Sequence, residues 1–346
     1  MTDLPTISSR FADMVGFRYP IIQEGLGPYK TVQLAAAVSN AGGLGTISMP
    51  GMTEEPREGA ALMRSYIEEA CALTEMPLAV NVPVGTAADG QVLPFSAAYV
   101  GAIVDAVKDP FIAQRLRVIT TSAGPPGVVR ALIEGAGLIH AHKIGSTRQA
   151  VRAREEGVDV IVASGYEAGG HTHARPMHTF VLGPSVADAV DCPVIIAGGI
   201  KDGATMAAAL ALGADAVAMG TRFVASYDNT DWHPAYAQRI LDAQETDDVI
   251  FSAVYGPSRA LPSHGLIELA EIVKNGSMTL DELTAWKDER LIIAQRDGDM
   301  EAGILPAGQV SGAINDLIHV AEFIPSMIRD AIWTMAALQA RVVRHP

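Results

Sequence analysis

Two glycine-rich segments carry the first chemical signal. Ala197-Gly198-Gly199-Ile200-Lys201-Asp202-Gly203 and Met219-Gly220-Thr221-Arg222-Phe223 each follow a short apolar run. Glycine lets backbone N–H groups come close to a ligand, and N–H groups at a helix start carry the partial positive charge an anion needs. Either segment alone reads equally well as a tight corner. Together, in consecutive units, they point to a phosphate-bearing ligand. A third segment, Ser164-Gly165-Tyr166-Glu167-Ala168-Gly169-Gly170-His171, is a pliant loop ending in a histidine able to exchange a proton near neutral pH. Standing alone, His171 would read as an exposed loop residue. His173 and His178 match no zinc-ligand spacing, so no metal is expected. Lys143 ends the run Ile139-His140-Ala141-His142-Lys143, where an amine can form a Schiff base, act as a fixed cation or simply be solvated. Gln23 and Asn81 are neutral amides that offer a donor and an acceptor to a heterocycle, or cap a turn.

These residues fall at the ends of apolar runs that repeat one pattern: short run, turn, then a longer Ala-rich amphipathic stretch. Candidate strands are 19–23, 45–49, 78–82, 117–121, 139–143, 158–163, 194–197 and 214–219. Eight βα units close a parallel barrel. Polar or glycine residues at the strand ends (Gln23, Asn81, Thr121, Lys143, Ser164, Gly198) then sit on the rim where barrels build their sites, and the loops after the last two strands are where they hold phosphate. An open dinucleotide-binding sheet would need G-x-G-x-x-G after its first strand, and Gly25-Leu26-Gly27-Pro28 lacks it. The expected fold is a (β/α)8 TIM barrel with a helical insertion after the eighth strand. Its boundaries are expected at 1–231 for the barrel, 232–305 for the insertion and 306–346 for C-terminal helices returning to the barrel. Within that last part Ile314, Leu317, Ile318 and Ala321 keep a helical period, and Pro325 is expected to divide it into two helices.

Composition fits this class and excludes others. Hydrophobic residues make up 49% and aromatic ones 5%, which favours tightly packed helices on a buried parallel sheet. A formal net charge of −14 repels nucleic acid and anionic membrane surfaces, so neither is an expected partner. Cys71 and Cys192 form no disulfide framework. Residues 1–6, with Asp3, have no basic start before an apolar run, and the most apolar stretch, 204–214, is too short to span a bilayer. A cytoplasmic location is expected. The oligomeric state is left open, a homodimer among the choices.

The motifs resemble those of the nitronate monooxygenases, the 2-nitropropane dioxygenase-like family, whose framework is shared by flavin-dependent enoyl-acyl carrier protein reductases. The resemblance is carried by Pro20-Ile21-Ile22-Gln23, Leu34 to Gly45, Glu167-Ala168-Gly169-Gly170-His171, Ala197-Gly198-Gly199-Ile200 and Met219-Gly220-Thr221-Arg222-Phe223. It implies an FMN-binding barrel. Gly198, Gly199, Gly220 and Thr221 would hold the phosphate, with backbone at Ala218 and Met219. Gln23, Gly25, Asn81 and Lys143 would adjoin the ring or ribityl chain, Ser164, Gly169 and Gly170 would line further contacts, and His171 corresponds to the catalytic histidine.

One departure bears on substrate. Family members usually follow the first-strand Gln with Ala-Pro-Met, whereas this chain reads Gln23-Glu24-Gly25-Leu26-Gly27. The resemblance therefore implies an FMN-dependent oxidoreductase of a small molecule, first an alkyl nitronate oxidised with oxygen to a carbonyl compound and nitrite. An NAD(P)H-dependent reductase of a conjugated acyl thioester is the alternative, with Arg175 and Arg259 as basic candidates for its phosphates. A Schiff-base lyase using Lys143 is the reading outside flavin chemistry.

Overall fold

The computed structural model describes residues 6–51, 55–87, 89–253 and 256–343, so of the N-terminal residues read above, 1–5, Asp3 included, lie outside the described residues. In chain order the strands are β1 (Ile21–Gln23), β2 (Gly45–Ser48), β3 (Leu78–Val84), β4 (Leu116–Ala123), β5 (Ile139–Ile144), β6 (Val160–Ser164), the two-residue β7 (Gly170–His171), β8 (Val194–Ala197) and β9 (Ala216–Met219). All but β7 form one parallel sheet ordered β1-β9-β8-β6-β5-β4-β3-β2. The ring closes between its end strands: Gln23 N donates to Leu44 O at 3.0 Å and Leu44 N to Ile21 O at 2.9 Å. The fold is a (β/α)8 TIM barrel.

Side-chain alternation along each strand divides the core into two shells. Ile22, Leu44, Ala79, Val118, Val162, Ile195 and Ala218 fill the lumen. Phe11, on the short helix Arg10–Val15, enters from the end where the strands begin. The alternate residues, among them Ile47, Val80, Ile119, Ile161 and Ile196, are fully buried against the surrounding helices. The strands are largely apolar on both faces, with His140 and His142 of β5 as buried exceptions on the helix side, and Asn81, Thr120 and Lys143 turn polar toward the mouth.

The chain after β9 departs from the expected all-helical insertion. Alongside the helices His264–Asn275 and Leu280–Ile292 it carries β10 (Val249–Ala253), β11 (Gly256–Leu261) and β12 (Leu305–Pro306). β11 pairs antiparallel with β10, with β12 and with β7 of the barrel loop. Its partners lie up to about ninety positions away, and Gly256 and Pro257 interrupt the strand pattern, so the local sequence carries little of this signal. Nor does the helical period at 314–321 hold. A 3-10 turn, Gln309–Ala313, is followed by extended chain, and Ile318 bridges to Ser226. Pro325 lies inside one continuous helix, Val320–Gln339, whose buried face (Ile324, Met327, Ile328, Ala331) packs on the barrel and offsets the lost backbone bond.

Candidate active site

The mouth is built from strand ends upward. Glu24 follows β1 and Lys143 is the penultimate residue of β5, four strands apart either way round the ring, and they meet at 3.2 Å. Asn81, from β3, packs against Gly25: a Cβ there would lie 2.5 Å from the Asn81 Cβ, so the absence of a side chain lets the two loops touch. Gln23 is fully buried, with both amide groups committed. Its Oε1 accepts from Thr46 N at 3.0 Å and its Nε2 donates to Glu24 O, which clamps β1 to β2. The amine of Lys143 is ion-paired with Glu24, which disfavours the Schiff-base role.

Above β8 and β9 the glycine segments come together. Gly198 and Gly199 have φ of +102° and +76°, which L side chains rarely adopt. A Cβ on Gly198 would crowd Thr179 Oγ1, Gly165 O and Ala168 N at 3.0–3.3 Å. The N–H groups of Gly199, Ile200, Gly220 and Thr221 make no hydrogen bond among the described residues. Such open donors on adjacent strand ends suit anionic oxygens. Ala218 lines the lumen, whereas the Met219 side chain faces the helix layer and its carbonyl accepts from Glu24 N at 2.9 Å.

The loop after β6 joins these donors to His171. Ser164 is buried at its start. Glu167 then accepts from Thr179 Oγ1 at 2.7 Å and Thr179 N at 3.0 Å, capping the helix Thr179–Ala187, and its carbonyl accepts from Gln309 N at 2.9 Å. Gly169 lies against Ala307 and Gly308, where a Cβ would approach within 2.5 Å. Gly308 N donates to Thr221 Oγ1 at 2.8 Å, so the loop, the 307–309 segment and the β9 end form one contact chain. Gly170 and His171 make β7, paired with Arg259 and Ser258 of β11.

His171 is exposed to solvent, yet protein is packed around it. Burial, then the charges of Lys287 and Lys143, push its pKa down to about 4, with Asp288 opposing. The imidazole is therefore neutral at pH 7. Lys287 and Asp288 form a 2.8 Å ion pair on the helix Leu280–Ile292. The sequence reading missed this pair. Only the structure shows that Thr284, Lys287, Asp288 and Leu291 share one buried helix face, where two charges are out of place without a purpose. Arg259, expected as a phosphate ligand, is buried, paired with Asp248, and donates to Tyr166 O at 2.9 Å. It holds the loop and has no freedom to meet a ligand. Arg175 is exposed.

The nitronate monooxygenase family profile matches residues 8–330. The chain belongs to the nitronate monooxygenase family. Members of this family and its dehydrogenase relatives are oxidoreductases, and so is this enzyme. It is 30% identical to a (3aS,4S,5R,7aS)-5-hydroxy-7a-methyl-1-oxo-octahydro-1H-indene-4-carboxyl-CoA dehydrogenase of Rhodococcus jostii, over 97% of this chain and 99% of that one. It is also 30% identical to a probable nitronate monooxygenase of Staphylococcus saprophyticus, over 77% of this chain and 81% of that one. Among solved structures, FabK from Thermotoga maritima superposes with a TM-score of 0.84 at 32% identity, covering 97% of this chain and 100% of that one.

Proposed function

We propose that this enzyme is an FMN-dependent oxidoreductase of acyl-CoA thioesters. The observation that carries the reading is the similarity over nearly the whole length to a carboxyl-CoA dehydrogenase, with His171 fixed by the β7–β11 pair and its protonation disfavoured by Lys287 and Lys143. An imidazole unprotonated at pH 7 accepts a proton, and cations beside it favour the anion that proton loss creates. The carbon next to a thioester carbonyl yields such a proton and such an anion. Similarity over nearly the whole length to a carboxyl-CoA dehydrogenase favours a CoA thioester over a smaller acid.

The residues present fit FMN. Gly199, Ile200, Gly220 and Thr221 would bind its phosphate through their open N–H groups, and Gly198 leaves the backbone free to turn there. Lys143, Glu24 and Asn81 would adjoin the ring, with Gly25 giving Asn81 room, and Ser164, Gly169 and Gly170 would border it. When bound, FMN supplies the two-electron acceptor for the hydride leaving the neighbouring carbon. The chain's own part is acid–base and electrostatic. His171 takes the α-proton on its imidazole, Lys143 and Lys287 stabilise the negative charge on the thioester oxygen, and the helix Leu280–Ile292 with the β7–β11 pair holds these groups in place.

Oxidation of a nitronate is the second reading, favoured by the family profile over residues 8–330. The same His171 and lysines would orient a nitronate anion. Anaerobic mixing of the FMN-loaded enzyme with a saturated acyl-CoA, an alkyl nitronate or NADH, while watching the flavin's visible band, separates the readings. Bleaching by the acyl-CoA is the expected result. Bleaching by the nitronate alone would install the second reading, and bleaching by NADH would favour the reverse, reductive direction.

A further inference from the structure

We propose that the sector of the mouth above β4, β5 and β6 is the docking site for the nucleotide phosphates of coenzyme A, with Arg148 and Arg175 as its cationic contacts. This rests on the thioester reading and adds the part of the ligand it recognises. In a protein of net charge −14, the charges around the mouth are unevenly divided. The rim above β1, β2, β3 and β8 carries Glu24, Glu55, Asp89 and Asp202, against Lys30 and Lys201, both of which are ion-paired. The rim above β4 to β6, residues 124–126, 145–148 and 165–178, carries one acid in its own sequence, Glu167, whose carboxylate is turned onto Thr179, while the Glu156 carboxylate accepts from Gly127 N at its edge and pairs with Arg152.

The same sector holds the two arginines. Arg148 is the second residue of the helix Thr147–Glu155, and Arg175 lies in the loop after β6; both are exposed, and among the described residues neither has an ion-pair partner. The other two arginines of that helix are partnered, Arg152 with Glu156 and Arg154 with Asp191. A cation in the first turn of a helix opposes the helix dipole, so Arg148 gives the fold no benefit where it stands. The two segments touch: the His173 ring packs directly on Gly145, which places the Arg175 loop over the start of the Arg148 helix. Lys143 acts electrostatically on both His173 and His171, so the basic sector runs from the outer rim to the base. A CoA thioester with its carbonyl at His171 carries its diphosphate and 3′-phosphate at the far end of the pantetheine arm, outside the mouth. Arginine is the side chain best matched to such oxygens.

The test is calorimetric titration of CoA and of dephospho-CoA onto the FMN-loaded enzyme and its Arg148→Gln/Arg175→Gln variant, with turnover of an acyl-CoA and of the same acyl pantetheine, which lacks the nucleotide. The variant is expected to bind CoA weaker by about tenfold or more. Loss of the 3′-phosphate should weaken binding in the wild type and matter little in the variant, while acyl-pantetheine turnover stays unchanged. Equal CoA affinity in the two proteins overturns the proposal, as does an equal loss with both thioesters. Arginine dependence confined to an acyl-carrier-protein thioester assigns the patch to a carrier protein instead. Arginine-dependent CoA binding without flavin bleaching by any thioester keeps the docking site and sinks the redox reading. Turnover indifferent to the arginines does the reverse.

Discussion

Glu24 and Lys143 project from opposite strands of the barrel and meet at 3.2 Å across its mouth. The carboxylate stands where the family's Ala-Pro-Met segment begins, so under the proposed FMN reading it compensates the charge that Lys143 would bring to the ring. Glu24→Ala should raise the reduction potential of bound FMN by about 30 mV or more, the equivalent of about 1.4 kcal/mol for a two-electron couple. Lys143→Met should lower it. Spectroelectrochemical titration of the two variants checks both signs.

His171 acts as a base only while unprotonated. With its pKa near 4, kcat/KM should stay level from neutral pH down to about 5 and fall only as the imidazole protonates. Lys287→Met removes a cation that disfavours the protonated ring, so the pKa rises and the acid limb moves to higher pH. His171→Gln should cost about 10²- to 10⁴-fold in kcat while FMN stays bound. A pH–rate profile of the three proteins decides the matter, and an unmoved limb in Lys287→Met would count against the electrostatic role.

Thr179 links the helix cap to the glycine turn, since its hydroxyl lies 2.7 Å from Glu167 Oε2 and 3.0 Å from Gly198 O. Thr179→Val should cost about 1.5–3 kcal/mol through the bond to a charged group. FMN should be released more readily, and Thr179→Ser should restore both properties. Thermal melts with and without added FMN separate the two effects.

His140 and His142 sit outside the lumen, buried against the helices, and both ring nitrogens facing Thr121 lie 2.8 Å from its hydroxyl. Burial pushes their pKa values down to about 4 and about 3. Both are depressed below the unfolded value near 6.5. The unfolded chain therefore binds more protons than the native one below that pH, and stability declines from about pH 6.5 toward pH 4. Wild-type denaturation midpoints should fall between pH 7 and pH 4.5, by a few kcal/mol in free energy, and His140→Phe should flatten this dependence. A pH-independent midpoint in the wild type would falsify it.

Arg259 and Asp248 are both buried. Asp248→Asn leaves a buried guanidinium without its countercharge and should destabilise the enzyme by about 3–5 kcal/mol. Because Arg259 also holds Tyr166 O, kcat should fall more than FMN affinity does.

The barrel was legible because its signal is local and repeated. Each strand is a short apolar run, and each rim residue, from Asn81 to Gly198, ends one. The glycine pairs and His171 stood out for the same reason. What lay hidden depends on distant pairing. β11 finds its partners at β7, β10 and β12, and nothing near Arg259 announces Tyr166 or Asp248. Gln23 was legible by type and not by role, since only the β1–β2 seam shows that its amide is already bonded. Lys287 and Asp288 were hidden by a helix that reads as ordinary until its buried face is known.

The β7–β11 pairing ties His171, the proposed base, to the part of the chain that flanks it. His171 is fixed by backbone bonds to a strand almost ninety residues downstream, so the barrel alone does not specify where the imidazole stands. Divergence in the segment after β9 is then never confined to pocket shape: any change in the register of β11 carries the base with it. Recombining this barrel with a foreign segment would transfer reactivity along with selectivity, and the two properties are inherited as one unit.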